Sequence, residues 1–345
     1  MTNYSNGIIA NDDLYDYFSA SVRSDTLSHA YILHGVRGTG KRTLARLVAA
    51  ALNCEKKDDE NAPLPCCECA SCRKIIGNNS ADVITVKREE DRVFLGIEPI
   101  RFIRDDVSYQ PNDGDFKVYI IEDAHTMTAQ AQNALLLTLE EPPPYVVFLL
   151  LCEHTESLLE TIKSRAPILR MRTPQRDEAT EYLIANYPSV KAFINNSPDE
   201  FEQIYMASKG SIGRIIELIS SSEKKQIIEN RSLASGLIEA LANNTLSRDF
   251  GEIFSSFSQK RDERERIMAQ LLEIEAAARD LIALKKADAP SMLFYTDRTR
   301  AEELSYSFSV AKLTRILQSS EKARLALLRN ANIKLTLTDF LSSLI

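Results

Sequence analysis

A glycine-rich stretch at residues 35–41, GVRGTGK, constrains this chain more than any other part of it. The apolar residues 30–33 before it predict a buried strand, and residues 43–48 after it predict a helix. Strand, Gly-x-x-x-x-Gly-Lys and helix together predict a P-loop, in which backbone amides at a helix N-terminus face a phosphate. Lys41 adds a positive charge at the same place. The sequence therefore predicts an α/β P-loop fold.

The position after Lys41 departs from the P-loop pattern. A Ser or Thr there normally holds Mg²⁺ beside the β- and γ-phosphates. This chain has Arg42, and a guanidinium, which has five donors and no acceptor, cannot ligate a cation. The next hydroxyl is that of Thr43, but a helix turns by about 100° per residue, so Thr43 is expected to point away from the phosphates.

A second departure follows the apolar strand predicted at residues 117–121, which ends in Glu122 and Asp123. Acids at this point of a P-loop ATPase hold Mg²⁺ and orient water, usually in the order Asp then Glu. The reversed order displaces a metal ligand by about an ångström, which catalysis tolerates poorly. We therefore predict a degenerate nucleotide site, where ATP and Mg²⁺ are either not bound or not hydrolysed. Its residues are Gly35, Gly38, Gly40, Lys41, Thr43, Glu122 and Asp123.

Four of the six cysteines are clustered between Cys66 and Cys72. Cys66, Cys69 and Cys72 follow a Cys-x-x-Cys-x-x-Cys spacing, and Cys54 can complete a set of four thiolates. Zn²⁺ prefers four tetrahedral ligands of this kind. We therefore predict a structural zinc at Cys54, Cys66, Cys69 and Cys72, with Cys67 as a bystander. The alternative is a set of free or redox-active thiols.

Composition excludes several classes of protein. Hydrophobic residues make up 44% and charged residues 26% of the 345 residues, which is typical of a globular protein with two or three domains. No run approaches the roughly 18 apolar residues of a membrane span, and no signal peptide is evident, so a cytoplasmic protein is expected. The net charge of −7 argues against a surface that grips nucleic acid broadly.

Strands and helices alternate up to residue 173, which predicts a parallel sheet covered on both faces. The further predicted elements are a strand at 81–86, a helix at 128–141 between Thr128 and the prolines 142–144, a strand at 146–151 and a short helix at 158–164.

The β pattern stops after residue 173. Residues 175–220 predict three short helices, and the chain beyond about residue 222 looks all-helical. A seam in that part, predicted to be a domain core rather than a two-chain coiled coil, contains Ile267, Leu271, Ile274, Ala278 and Leu281. Residues 325–337 with Leu341 predict another buried helix. The expected domains are 1–173 with a cysteine module at 54–72, a lid at 174–221, and an oligomerising helical domain at 222–345.

Several strings, taken in order, resemble one family. They are HAYIL at 29–33, the P-loop, the cysteine segment, NALL at 133–136 running into LEEPP at 139–143, and Ser164-Arg165. Over residues 10–220 the chain resembles bacterial DNA polymerase III clamp-loader subunits of the AAA+ class. Its helical tail, including residues 330–332, resembles the collar domain of the delta-prime subunit.

The departures from the motif favour one branch of this family. The gamma/tau motors would keep a hydroxyl after Lys41 and the Asp-Glu order, whereas this chain has Arg42 and Glu122-Asp123. Gly213 stands where motors often have a sensor-2 arginine, with Arg214 one place later, and the long extension of tau is missing. The resemblance therefore implies a non-hydrolysing delta-prime stator. The alternative is an active gamma/tau motor.

The resemblance also implies partners and a role for Arg165. Clamp loaders form an arc in which the Ser-Arg arginine of one subunit stabilises charge on a neighbour's ATP. The implied partners are gamma/tau and delta subunits, and through them the sliding clamp and primer-template DNA. Ala166 replaces the cysteine that usually follows this arginine. Without the resemblance, Arg165 reads as a cation that caps a helix C-terminus.

A third interpretation is a zinc-bearing DNA-binding adaptor that keeps its P-loop for structure only. It requires a basic stripe, whereas the cysteine segment is flanked by Asp58, Asp59 and Glu60.

Overall fold

The computed structural model describes residues 7–89, 92–248, 251, 263–287 and 292–344. Contacts divide the chain into two compact units. The first contains the described residues up to Tyr182 together with Ser211–Gly213, and the second contains those of Leu183–Gly210 and Arg214–Ile345. The division into three domains stays a prediction. No helix in the described ranges is long and apolar enough to cross a membrane.

The first unit is built on a five-stranded sheet in the order β2-β3-β4-β1-β5. Every pairing is parallel, which confirms the predicted sheet type. The strands are β1 (Ala30–His34), β2 (Val83–Val86), β3 (Lys117–Ile121), β4 (Val146–Cys152) and β5 (Ile168–Arg170). Because β1 lies between β4 and the edge strand β5, its carboxyl end, where the P-loop begins, is flanked by the carboxyl ends of both strands.

Helices cover both faces of the sheet, as predicted. Successive residues of β1 point to opposite faces, so Tyr31 and Leu33 join one buried cluster while Ala30 and Ile32 join another. The first cluster includes residues of α1 (Asp12–Arg23), α2 (Lys41–Leu52) and α3 (Ala70–Ile76). The second includes residues of α4 (Glu98–Asp106), α5 (Ala129–Glu140) and α6 (Glu160–Lys163).

Helix α5 lies where its capping residue and the prolines that follow it predicted a helix. Thr128 caps it by accepting a hydrogen bond from the Ala131 amide at 3.2 Å, and the helix ends just before the prolines. The helix predicted at 158–164 is a single turn, α6. Strand β5 was not predicted, because three residues at a sheet edge, with Ile168 44% exposed, leave little pattern to detect.

The prediction of three helices between residues 175 and 220 was wrong. The structure has four, namely α7 (Arg176–Asn186), α8 (Pro188–Asn196), α9 (Pro198–Ala207) and α10 (Ile212–Ser220). Pro188 and Pro198 each open a helix after a break of one residue. Proline fits the first helical position because the amide missing there has no helical partner anyway.

The described part of the chain from residue 223 onward forms helices α11 (Glu223–Ala242), α12 (Glu263–Lys286), α13 (Arg298–Tyr306), α14 (Val310–Leu328) and α15 (Ile333–Leu344). The predicted seam residues are fully buried in one core with α11, α14 and α15, which confirms a domain core. The single helix predicted at residues 325–337 was wrong. Asn330 has φ +62°, which ends α14, and Asn332 accepts a hydrogen bond from the Leu335 amide at the start of α15.

Candidate nucleotide site and cysteine cluster

The P-loop leaves β1 and turns directly into α2. The Gly35 amide donates to the Cys152 carbonyl at 3.1 Å, which fixes the loop to the end of β4. Gly38 and Gly40 have φ of +82° and +89°, the region that glycine adopts without strain. The first helical hydrogen bond runs from Leu44 to Gly40. The amides before Leu44 therefore lie at the exposed start of a helix, where an anion binds.

Lys41 is directed at the loop itself. Its ammonium donates to the carbonyls of Gly35 at 2.6 Å and Val36 at 2.9 Å. Burial lowers the pKa of Lys41, while the nearby carboxylates of Glu153 and Asp123 oppose that shift. Glu153 follows β4 directly and was missed by sequence reasoning. The one available signal was its position at the carboxyl end of a predicted parallel strand.

Arg42 and Glu122 form an ion pair that joins the first turn of α2 to the end of β3. The Glu122 side chain is only 10% exposed, whereas that of Arg42 is 58% exposed. A nearly buried carboxylate needs a cationic or hydrogen-bonding partner, and here the guanidinium supplies it. Mg²⁺ does not fit this arrangement. Arg42, which can only donate hydrogen bonds, stands where the metal-binding hydroxyl is expected, and it is bonded to Glu122, the acid expected to be the other ligand.

The two remaining predicted residues lie apart from this pair. Asp123 has φ +50° and its carboxylate lies 3.8 Å from the Arg88 guanidinium. Thr43 is exposed, and its methyl carbon is 3.9 Å from where a Cβ on Gly7 would lie. The predicted site residues are thus gathered around the end of the sheet, but its acids are already matched with arginines.

Two residues near the start of α10 hold the P-loop within the first unit. The Ser211 hydroxyl donates to the Arg37 carbonyl at 2.6 Å, and the Gly213 amide donates to the Gly38 carbonyl at 3.0 Å. A Cβ on Gly213 would lie 2.9 Å from the Gly38 Cα, closer than side chains ever approach. The glycine at position 213 is therefore required by contact with the loop.

The sulfur atoms of Cys54, Cys66, Cys69 and Cys72 lie within 4.8 Å of one another, and all four residues are buried. Tetrahedral zinc with Zn–S bonds of about 2.3 Å needs sulfurs roughly 3.8 Å apart, and Cys66 and Cys72 are 3.9 Å apart. The Cys69 amide donates to the Cys66 sulfur, and the Cys72 amide donates to the Cys69 sulfur. Among the described residues, the four thiols form a donor set that fits zinc.

The surroundings of the four thiols shift the pKa values of three of them, in both directions. Burial works against ionisation of the Cys66 thiol, but hydrogen bonds from backbone amides, chiefly that of Cys69, lower its pKa to about 7. Burial raises the pKa of Cys54. Cys67 lies outside the group, with its sulfur near the Pro65 carbonyl. The side chain of Arg23, in α1, donates hydrogen bonds to the carbonyls of residues 57, 59 and 62 in the loop between Cys54 and Cys66.

Arg165 follows α6, and its side chain is partly buried. One side-chain nitrogen donates to Glu140, the last residue of α5, at 2.7 Å, and another donates to the Thr161 carbonyl at 3.0 Å. The side chain keeps 33% of its surface exposed. The bond to Thr161 fits the helix-capping interpretation, whereas the bond to Glu140, 25 residues away, was not predicted.

The chain resembles known proteins over part or most of its length. Residues 10–175 match the family described as DNA polymerase III, delta subunit. The DNA polymerase III subunit tau of Bacillus subtilis (strain 168) is 42% identical over 140 residues, covering 40% of this chain and 23% of that protein. The gamma/tau subunit of Mycoplasma genitalium is 30% identical over 300 residues, covering 83% of this chain and 48% of that protein.

Among solved structures, a DNA polymerase III gamma subunit-related protein from Thermotoga maritima covers 94% of this chain and 97% of its own, at 20% identity and a TM-score of 0.43. The chain spans between 23% and 48% of the length of the tau and gamma/tau relatives above. Residues 10–175 are therefore similar to the delta-type clamp-loader family of DNA polymerase III, and gamma/tau subunits are among the proteins that the chain resembles.

Proposed function

We propose that this chain is the delta-prime stator of a bacterial DNA polymerase III clamp loader, which supports ATP-dependent loading of the sliding clamp without hydrolysing ATP itself. The observation that carries this proposal is the Arg42–Glu122 ion pair. It engages the acid that would orient a metal and puts a guanidinium where the metal-binding hydroxyl belongs. On this proposal the P-loop carries no catalytic metal and does not hydrolyse ATP.

In this role the chain acts on a neighbour. Arg165 is proposed to contribute an arginine finger in trans to ATP bound by a gamma/tau subunit, an effect worth about 10³–10⁵ in rate where such fingers act. Its position after α6, with a third of the side chain exposed, supports access by a partner. Glu140 is proposed to position the guanidinium, since it accepts a hydrogen bond from it.

The remaining assignments complete the proposal. Structural Zn²⁺ is held by Cys54, Cys66, Cys69 and Cys72, whose burial and spacing support it. The helices from residue 222 onward form the collar that assembles with gamma/tau and delta subunits in the cytoplasm. The sliding clamp and primer-template DNA are reached through that complex.

A second candidate is an active gamma/tau-type motor, and the names of the relatives favour it. It predicts steady-state ATP hydrolysis by the purified chain that is abolished by Lys41→Ala. The stator proposal predicts no turnover above that of the Lys41→Ala variant. This comparison within one chain removes contaminating ATPases from the result.

The stator role is tested by reconstituting the loader with Arg165→Ala and measuring assembly and DNA-stimulated ATP hydrolysis separately. We expect near-normal assembly and the loss of hydrolysis at one interface. Arg165→Lys should restore little, because a point charge lacks the fork that contacts two phosphate oxygens. Arg172→Ala is the matched control, since Arg172 is also a surface arginine paired with a carboxylate, that of Asp13. Unchanged hydrolysis with failed assembly would make Arg165 a structural residue.

A further inference from the structure

We propose that the Arg42 guanidinium takes the place of a divalent cation at this P-loop, so that the loop binds the phosphates of a nucleotide without magnesium. The proposal rests on the proposed function in one respect, namely that the P-loop does not hydrolyse its ligand.

The first step of the argument is the identity of the two partners. A magnesium ion in a P-loop lies between an acid at the strand end and the phosphates. Glu122 is the acid at the end of β3, and Arg42, in the first turn of α2, is the cation beside it. The positive charge at this point is thus carried by the chain itself and requires no metal.

The second step is that Arg42 can reach two anions at once. A guanidinium has five N–H donors in a planar fork. The contact with Glu122 uses the Nη2 nitrogen, and the side chain is still 58% exposed. The other edge of the fork therefore remains available to a phosphate oxygen, and one group would connect acid and phosphate as a cation does.

The third step is that the phosphate cradle itself is intact. Gly38 and Gly40 keep positive φ, and the amides before Leu44 open the N-terminus of the 12-residue helix α2. Lys41 is held by two backbone carbonyls within its own loop, so phosphate oxygens would replace oxygen acceptors it already contacts. The loop has lost its metal ligand while keeping the shape and charge that bind phosphate.

The experiment titrates the full chain with a fluorescent ADP in buffer with Mg²⁺ and in buffer with EDTA. For the wild type we expect Kd values that agree within about twofold between the two buffers. Arg42→Thr should weaken binding in EDTA by about tenfold or more, the usual size of one charge-assisted contact, and should recover it when Mg²⁺ is added. Arg42→Lys should keep part of the metal-free binding.

Arg104→Thr is the matched control, because Arg104 is an exposed arginine of α4 paired with its neighbour Asp105. Thermal melting of each variant separates binding effects from unfolding. Wild-type binding that requires Mg²⁺ overturns the proposal, and so does an absence of ADP binding in both buffers. An Arg42→Thr variant that binds ADP in EDTA as tightly as the wild type does also overturns it. None of these readouts involves Arg165 or hydrolysis, so the stator role is tested independently.

Discussion

The cysteine cluster and the P-loop are two polar centres of the same unit, and they are completed in opposite ways. In the cluster, four buried groups of one kind converge within 4.8 Å. In the P-loop, groups of opposite charge face each other, with Arg42 on Glu122 and Arg88 near Asp123. The four thiols of the cluster form a site that an external metal ion completes, whereas the arginines of the P-loop region already balance the charge of its acids.

This difference indicates how each centre responds to loss of a residue. Removing one thiol leaves three donors that cannot enclose a metal, so the effect spreads over the whole cluster. Removing Glu122 from its ion pair leaves a single unmatched charge on Arg42, which solvent screens because that side chain is 58% exposed.

The sharpest test of the comparison is Cys72→Ser. We expect loss of one bound zinc per chain and melting of the segment around α3, since structural zinc sites contribute on the order of 10 kcal/mol of apparent binding free energy. Elemental analysis and thermal melting measure the two effects. Cys67→Ser, outside the cluster, should keep both zinc and stability. Freshly purified wild type with no zinc and six freely titrating thiols would contradict the assignment.

The next effect in size concerns the contact that holds the P-loop from Gly213. Gly213→Ala should lower the free energy of unfolding by about 1–3 kcal/mol, because the new methyl group meets the Gly38 backbone. Gly236→Ala, in α11, has no atom within 4 Å of the new Cβ and should gain about 0.5–1 kcal/mol. Denaturant unfolding measures both changes. If both variants are more stable than the wild type, the P-loop shifts to accommodate the methyl group at position 213, and the prediction is wrong.

A smaller effect is expected from His125, which lies near the P-loop. Burial lowers its pKa, aided by His154 and Lys41 and opposed by Asp123 and Glu153. The unfolded chain therefore takes up a proton near pH 6.5 before the folded chain does, so stability falls as pH drops through that value. We expect the melting temperature of His125→Gln to fall by less than that of the wild type between pH 7.5 and 5.5. A larger fall in the variant would contradict this prediction.

The smallest expected effect is on hydrolysis. Arg42→Thr should not create ATPase activity, because the Glu122-Asp123 order still misplaces the second metal ligand. Combining it with Glu122→Asp and Asp123→Glu tests whether the two defects together account for inactivity. Turnover by the single variant would show that Arg42 alone suppresses an otherwise competent site.

The parts of this structure that short-range patterns specify could be predicted, and those that depend on distant residues could not. The cysteine cluster followed from spacing, and the start of α5 followed from a cap at Thr128. The pairing of Arg42 with Glu122 joins residues 80 positions apart, and no periodicity encodes it. The same holds for Gly213, whose need for a glycine arises from the Gly38 backbone. The extra helix after residue 187 was missed because one residue separates α7 from α8.

The contact between Arg165 and Glu140 has a consequence for how a finger of this kind would engage its target. Both terminal nitrogens of Arg165 are already in use, one on the Glu140 carboxylate and one on the Thr161 carbonyl, so this guanidinium binds a phosphate only by exchanging one anion for another. An exchange sets a threshold, since only a ligand that competes with Glu140 releases the arginine. If Arg165 acts as proposed, the finger discriminates by the charge of its target, and Glu140→Gln would lower that threshold by replacing the anion with a neutral amide.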